Sequence, residues 1–199
     1  MSAPARRLGV FGGTFDPVHN GHVAAAVNAR HAFALDRVLV VVAPHPWQKQ
    51  DRELAPAEDR LAMLDAAIAD IDGIEVSRVE LDRPGPTYTA DTVEELHRQD
   101  GAAELFLIVG ADAASDLATW DRPDVLRDLT TIVIVSRADI DEPGAPGPGW
   151  RVAHVRIPPL AISSTDLRRR AASGEPLDGL MPPAAIRCLR ERGLYADRG

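Results

Sequence analysis

The run Arg7-Leu8-Gly9-Val10-Phe11-Gly12-Gly13-Thr14-Phe15-Asp16-Pro17-Val18-His19-Asn20-Gly21-His22 sets the pattern for the whole chain. After Arg7 it opens on a short apolar run that stops at a glycine pair, which predicts a buried strand entering a tight loop. The Ala-rich stretch from His22 to Leu35 predicts a helix whose entrance lies near Asn20 or Gly21. Outward from this unit the alternation repeats. Arg37 to Ala43 (RVLVVVA) is continuous and β-branched, as a parallel strand covered on both faces would be, and Pro44 and Pro46 end it. Pro56 opens a helix to about Asp70, with Leu61, Leu64 and Ile68 at helical spacing. Ile74 to Leu81 alternates like a strand, and Thr89 to Gln99 reads as a helix capped by Thr89 or Asp91.

Glu104 to Val109 (ELFLIV) is again an apolar strand, closing on Gly110-Ala111-Asp112, with a short helix to Leu117 and another turn or two from Pro123 to Arg127. Thr131 to Val135 and Trp150 to Arg156 read as strands on either side of a Gly- and Pro-rich loop, 138–149, that fits no motif. Ser164 to Ala172 and Ala184 to Arg192 read as helices. Strands separated by helices imply βαβ units, hence an α/β protein with a mostly parallel, twisted sheet flanked by helices. Residues 1–199 are expected to form one domain, with a small helical part at 160–199. Such sheets bind ligands at the carboxyl ends of their strands, near a topological switch point. Glycines follow the first and fourth strands, prolines the second and Ser136-Arg137 the fifth.

Composition narrows the partners. The 199 residues are 45% hydrophobic and 26% charged, which fits a packed globular chain. Basic residues number 22 against 30 acidic, a net charge of −8 that argues against broad nucleic-acid or anionic-membrane binding. A single cysteine, Cys188, excludes an internal disulfide and a multi-Cys zinc site. No segment reads as a signal peptide or a membrane span, so the expected location is cytoplasmic. Lys49 is the one lysine among the basic residues. Self-association stays open, because buried and interface apolar residues look alike in a sequence.

The segment from Gly12 to His22 carries the chemistry. A glycine pair lets backbone approach a ligand closely, and a helix entrance aims unpaired N–H groups and partial positive charge at the same space. Together they favour an anion such as phosphate. His19 and His22, three residues apart, add donors toward that anion. Two histidines without a third ligand nearby make a poor metal site. The loop matches neither the P-loop nor the dinucleotide-binding glycine fingerprint.

This segment resembles the His-x-Gly-His signature of the nucleotidyltransferase superfamily. Ile162-Ser163-Ser164-Thr165-Asp166-Leu167-Arg168 is similar to that superfamily's second signature, ISSTxxR. Within it, Pro46-Trp47-Gln48-Lys49, Pro86-Thr87-Tyr88-Thr89-Ala90-Asp91-Thr92, Gly110-Ala111-Asp112, Trp120 and Ser136-Arg137 resemble the bacterial nicotinate-nucleotide adenylyltransferases. The resemblance spans essentially the whole chain. It implies a Rossmann-like nucleotidyltransferase fold and a reaction joining ATP to nicotinate mononucleotide, with release of pyrophosphate, in NAD biosynthesis.

By the same resemblance, His19, His22 and Arg168 are the catalytic set, with Arg168 on the β- and γ-phosphates as a permanently charged fork. Gly12, Gly13, Thr14, Phe15, Gly110, Asp112, Ser136, Ile162, Ser163 and Ser164 fall to ATP, though Asp112 could instead cap its helix. Thr87, Tyr88, Thr89, Lys49 and His45 fall to the mononucleotide, and Trp120 would stack on its pyridinium ring. Mg²⁺ is implied as a companion of ATP, held mainly by phosphates and water. Asp16 stands open between a metal ligand and a turn-forming Asp-Pro pair. Three other functions share some of these features. Phosphopantetheine as acceptor needs no aromatic stack. Nicotinamide mononucleotide differs from the nicotinate by one charge. A non-catalytic nucleotide sensor would not require the full phosphate constellation.

Overall fold

The computed structural model describes residues 6–44, 54–137 and 146–196. His45, Lys49 and most of the Gly- and Pro-rich loop lie outside the described residues. Six strands, β1 (Arg7–Gly13), β2 (Arg37–Val42), β3 (Ile74–Ser77), β4 (Glu104–Gly110), β5 (Thr130–Arg137) and β6 (Val152–Ile157), form one sheet in the order β3-β2-β1-β4-β5-β6. Every pairing is parallel. The helices are α1 (Asn20–Ala32), α2 (Ala57–Ile68), α3 (Thr89–Gln99), α4 (Ala111–Ala114), α5 (Pro123–Leu129), α6 (Ser164–Ala172) and α7 (Pro183–Glu191).

Continuous apolar strands are what a sheet buried on both faces requires, and alternate side chains divide between two cores. Val38, Val40, Val42, Phe106, Ile108, Val133 and Val135 meet α1, α2, α6 and α7 through Ala29, Met63, Leu167 and Ile186. Leu8, Val10, Leu39, Leu105, Leu107, Ile132 and Ile134 face the other way, onto Val93 and Leu96 of α3 and Leu126 of α5.

The strand order reverses between β1 and β4. There the paired register runs only from Arg7↔Glu104 to Val10↔Leu107, while β1 continues to Gly13 and β4 to Gly110. The two strand ends part beyond Val10, and a crevice opens at the switch point, where open α/β sheets bind ligands.

Several boundaries differ from the sequence expectation. β3 ends at Ser77, because a turn closed by Asp82 N–H on the Arg78 carbonyl (2.9 Å) replaces the expected strand to Leu81. Ser136 and Arg137 belong to β5 instead of following it, since pairing with Arg156 and Ile157 extends the ladder. Gly12, Gly13 and Gly110 likewise end their strands from within. Tyr88, not Thr89 or Asp91, occupies the N-cap of α3. Gly110 occupies that of α4, so Asp112 is not a cap. The short helix expected to reach Leu117 stops at Ala114, and a single 3-10 turn, Leu117–Thr119, follows.

Candidate active site

The crevice holds a cavity of about 600 Å³. Its wall brings together Gly12, Gly13, Thr14, Phe15, His19, His22, Thr87, Thr89, Asp112, Trp120, Ile162, Ser163, Ser164 and Arg168, all singled out from sequence. An adjoining cavity of about 480 Å³ shares Gly12, Gly13, Phe15, both histidines and Asp112, and adds Gly110 and Ser136. Tyr88 lines neither.

Local backbone explains how the histidines are presented. Phe15 takes a left-handed φ of 47° and turns its buried ring back onto Gly13. A Cβ on Gly13 would lie 2.8 Å from that ring, so glycine is required there. The Phe15 ring then meets His22 edge-on, with centroids 5.0 Å apart. His19 is the N-cap residue of α1, and its backbone N–H donates to Nδ1 of His22 at 3.2 Å. A ring nitrogen that accepts carries no proton, so neutral His22 holds its proton on Nε2, as a donor.

The two imidazoles stack with centroids 3.7 Å apart. His19 is 8% exposed, and desolvation brings its pKa down from 6.5 to about 4, only partly opposed by a backbone hydrogen bond. His19 is therefore neutral at pH 7.

The C-terminal part is fastened onto the β1–α1 loop by polar bonds. Ser164 Oγ donates to the Pro17 carbonyl (3.0 Å), Asn20 Nδ2 to that of Gly179 (2.8 Å), and Arg168 Nη1 to that of Asp16 (2.5 Å). Ser163 Oγ caps α6 by accepting from Asp166 N–H at 3.2 Å. Arg168 is thus carried into the same cavity as the histidines, 146 or more residues away in sequence.

Asp16 is held by protein groups. Its Oδ1 accepts from the Tyr195 hydroxyl (2.6 Å) and Ala55 N–H (3.2 Å), and Oδ2 stands 3.7 Å from Arg168 Nη1. These bonds make Asp16 an anchor for the loop and for Arg168. Among the described residues, no group of three or more His, Cys, Asp or Glu side chains could hold a metal ion.

Two residues that sequence reasoning passed over also line or support the site. Glu80 lies buried in the cavity wall, where it accepts from Thr92 Oγ1 at 2.8 Å. Arg83 Nη2 donates to the same hydroxyl oxygen at 2.9 Å. Burial pushes the Glu80 carboxyl pKa up against the Thr92 hydrogen bond and the Arg83 charge. Arg60 of α2 supports the wall from behind. Its signal in the sequence was a charged residue within the apolar stripe formed with Met63, Leu64 and Ile68.

Among the described residues, buried Trp120 Nε1 and Ser136 Oγ have no hydrogen-bond partner, and each residue lines one of the two cavities. Buried polar groups are normally satisfied, so these atoms have hydrogen-bonding capacity left over at the cavity walls.

The family model described as Cytidylyltransferase-like matches residues 10–170, which makes the chain with this open parallel sheet a nucleotidyltransferase of that class. A protein of Corynebacterium kroppenstedtii named "Probable nicotinate-nucleotide adenylyltransferase" is 45% identical over 195 residues, covering 97% of this chain and 92% of its own. One of the same name from Roseiflexus sp. is 45% identical over 200 residues and 98% of both chains. The chain belongs to the nicotinate-nucleotide adenylyltransferase family. The solved structure of Plasmodium falciparum nicotinic acid mononucleotide adenylyltransferase complexed with NaAD shares the fold, with a TM-score of 0.78 and 20% identity over 96% of this chain and 97% of that one.

Proposed function

We propose that the chain transfers the adenylyl group of ATP to nicotinate mononucleotide, giving nicotinic acid adenine dinucleotide and pyrophosphate, as a cytoplasmic step of NAD biosynthesis. The observation that carries this reading is the meeting of His19, His22 and Arg168 in one cavity at the β1–β4 switch point, in a chain of this family.

The mononucleotide phosphate is already an anionic nucleophile, so the chain needs no activated Ser or Cys. One of its oxygens attacks the α-phosphorus of ATP, a phosphoanhydride bond forms, and the bond to the departing pyrophosphate breaks. The protein's task is to bring two anions together and to stabilise charge spreading over the α-phosphate and the leaving group. His22, protonated on Nε2, donates to the α-phosphate. Neutral His19 donates beside it. Arg168 engages the β- and γ-phosphates.

Backbone at Gly12 to Phe15 and the α6 entrance at Ile162 to Ser164 surround the triphosphate, while Gly110, Asp112 and Ser136 receive the adenosine. Thr87 and Thr89, which line the larger cavity at the start of α3, meet the mononucleotide through hydroxyls and backbone donors, and Trp120 stacks on its pyridinium ring. Lys49 and His45, which lie outside the described residues, are assigned to the mononucleotide in this reading. A divalent cation arriving with ATP, Mg²⁺ by preference, would be held by phosphate and water oxygens and would supply neutralisation of triphosphate charge. Asp16, whose Oδ1 accepts from Tyr195 and Ala55, is engaged by protein groups, which supports that arrangement.

The test is pyrophosphate release from ATP with nicotinate mononucleotide, nicotinamide mononucleotide or phosphopantetheine supplied side by side. The highest kcat/KM is expected with the nicotinate. Preference for another acceptor would overturn the assignment of substrate, and release with none of them would favour a nucleotide sensor.

A further inference from the structure

Arg60 is 1% exposed, yet among the described residues its hydrogen bonds all go to main-chain carbonyls. Its Nε donates to the Ala55 carbonyl (2.9 Å), Nη1 to those of Thr14 (2.7 Å) and Ala43 (2.9 Å), and Nη2 to that of Pro44 (3.1 Å). The charge of nearby Asp16 supports the cation against desolvation. One guanidinium therefore joins three separate stretches of main chain: the loop after β1, the exit of β2 and the approach to α2.

Those stretches are walls of the candidate site. Thr14 and Ala43 line the larger cavity, and Leu54, beside Ala55, lines it too. Thr14 directly precedes the Phe15 ring that packs on His22. Packing alone does not call for a cation here, because Arg60 occupies the core stripe of α2 beside Met63 and Leu64, where an apolar side chain of similar volume would serve. A planar fork with five N–H donors can hold carbonyls in fixed directions; an ammonium, with three donors at one point, cannot span them.

We propose that Arg60 is a positioning residue for adenylyl transfer, fixing the spacing between the phosphate-facing loop after β1 and the wall built from the β2 exit and the α2 approach. Its effect is on reaction geometry. Small misplacements of reacting groups lower turnover steeply, by up to about 100-fold for an ångström. The inference rests on the adenylyl-transfer reading, and wild-type activity with ATP and nicotinate mononucleotide tests that reading separately.

Arg60→Met keeps the volume and removes the fork, and Arg60→Lys keeps the charge. Both are compared with Leu105→Ala, which removes core volume at the opposite end of β4 from the site. Thermal unfolding is recorded first, and kcat and both KM values are then measured well below each melting temperature. The expected result is a roughly 10- to 100-fold loss of kcat in Arg60→Met, with at most partial recovery in Arg60→Lys. Leu105→Ala keeps kcat within about twofold while melting earlier, as a variant altered only in its core should. Either Arg60 variant turning over at the wild-type rate would overturn the proposal, as would a change confined to KM. Failure of both variants to fold would also overturn it, making Arg60 a folding residue instead.

Discussion

Acidification should expose the cost of burying His19 as a neutral ring. Its pKa is about 4 in the folded chain and 6.5 when unperturbed, with desolvation as the main cause. Above pH 6.5 neither state holds the proton, and the group contributes nothing to pH dependence. Between pH 6.5 and 4 the unfolded chain binds a proton that the folded chain refuses, so stability falls as pH falls. A gap of 2.5 pH units at about 1.36 kcal/mol each amounts to about 3 kcal/mol. For a chain of this length that corresponds to a melting temperature lowered by roughly 6–12 °C. Other groups titrate over the same range, so the assay is the difference between wild type and His19→Gln, whose side chain does not titrate. Measured by thermal or urea unfolding, wild type should lose about 3 kcal/mol relative to the variant between pH 7 and pH 4. A difference that stays constant with pH, or a His19 NMR titration near 6.5, would refute the argument that burial controls this ring.

His22→Ala should lower kcat by about 10²–10³ if Nε2 stabilises charge in the transition state, with a cost near 1 kcal/mol from the lost bond to the His19 N–H; near-wild-type turnover in steady-state assays would contradict that role. Trp120→Ala should raise KM for the mononucleotide by roughly 2- to 30-fold, the range of a cation–π contact, with kcat little changed because the stack persists through the reaction; an unchanged KM would assign Trp120 to the apolar cluster it borders.

The sheet was legible because its strands are continuous apolar runs, and a chain of βαβ units leaves few topologies open. The glycines at 12, 13 and 110 correctly marked the strand ends where the crevice opens. Ends set by pairing were harder: Ser136 and Arg137 join β5 through a ladder with β6 that no local pattern announces. β3 stops early because a turn, not alternation, governs residues 78–82.

At the site, the two signature segments placed both histidines and Arg168. What holds those groups was hidden, because it depends on contacts between distant segments. Asp16 meets Tyr195 across 179 positions, and Arg60 gathers carbonyls from residues 14, 43, 44 and 55. Glu80 sat within an expected strand, and only the turn after Ser77 brings it into the cavity wall.

The most direct measurement is a crystal structure of the chain with a non-hydrolysable ATP analogue and nicotinate mononucleotide. The account predicts phosphate oxygens within hydrogen-bond distance of His22 Nε2 and the Arg168 guanidinium, between the carboxyl ends of β1 and β4. A nucleotide seated elsewhere, with both groups turned away from it, would contradict the account.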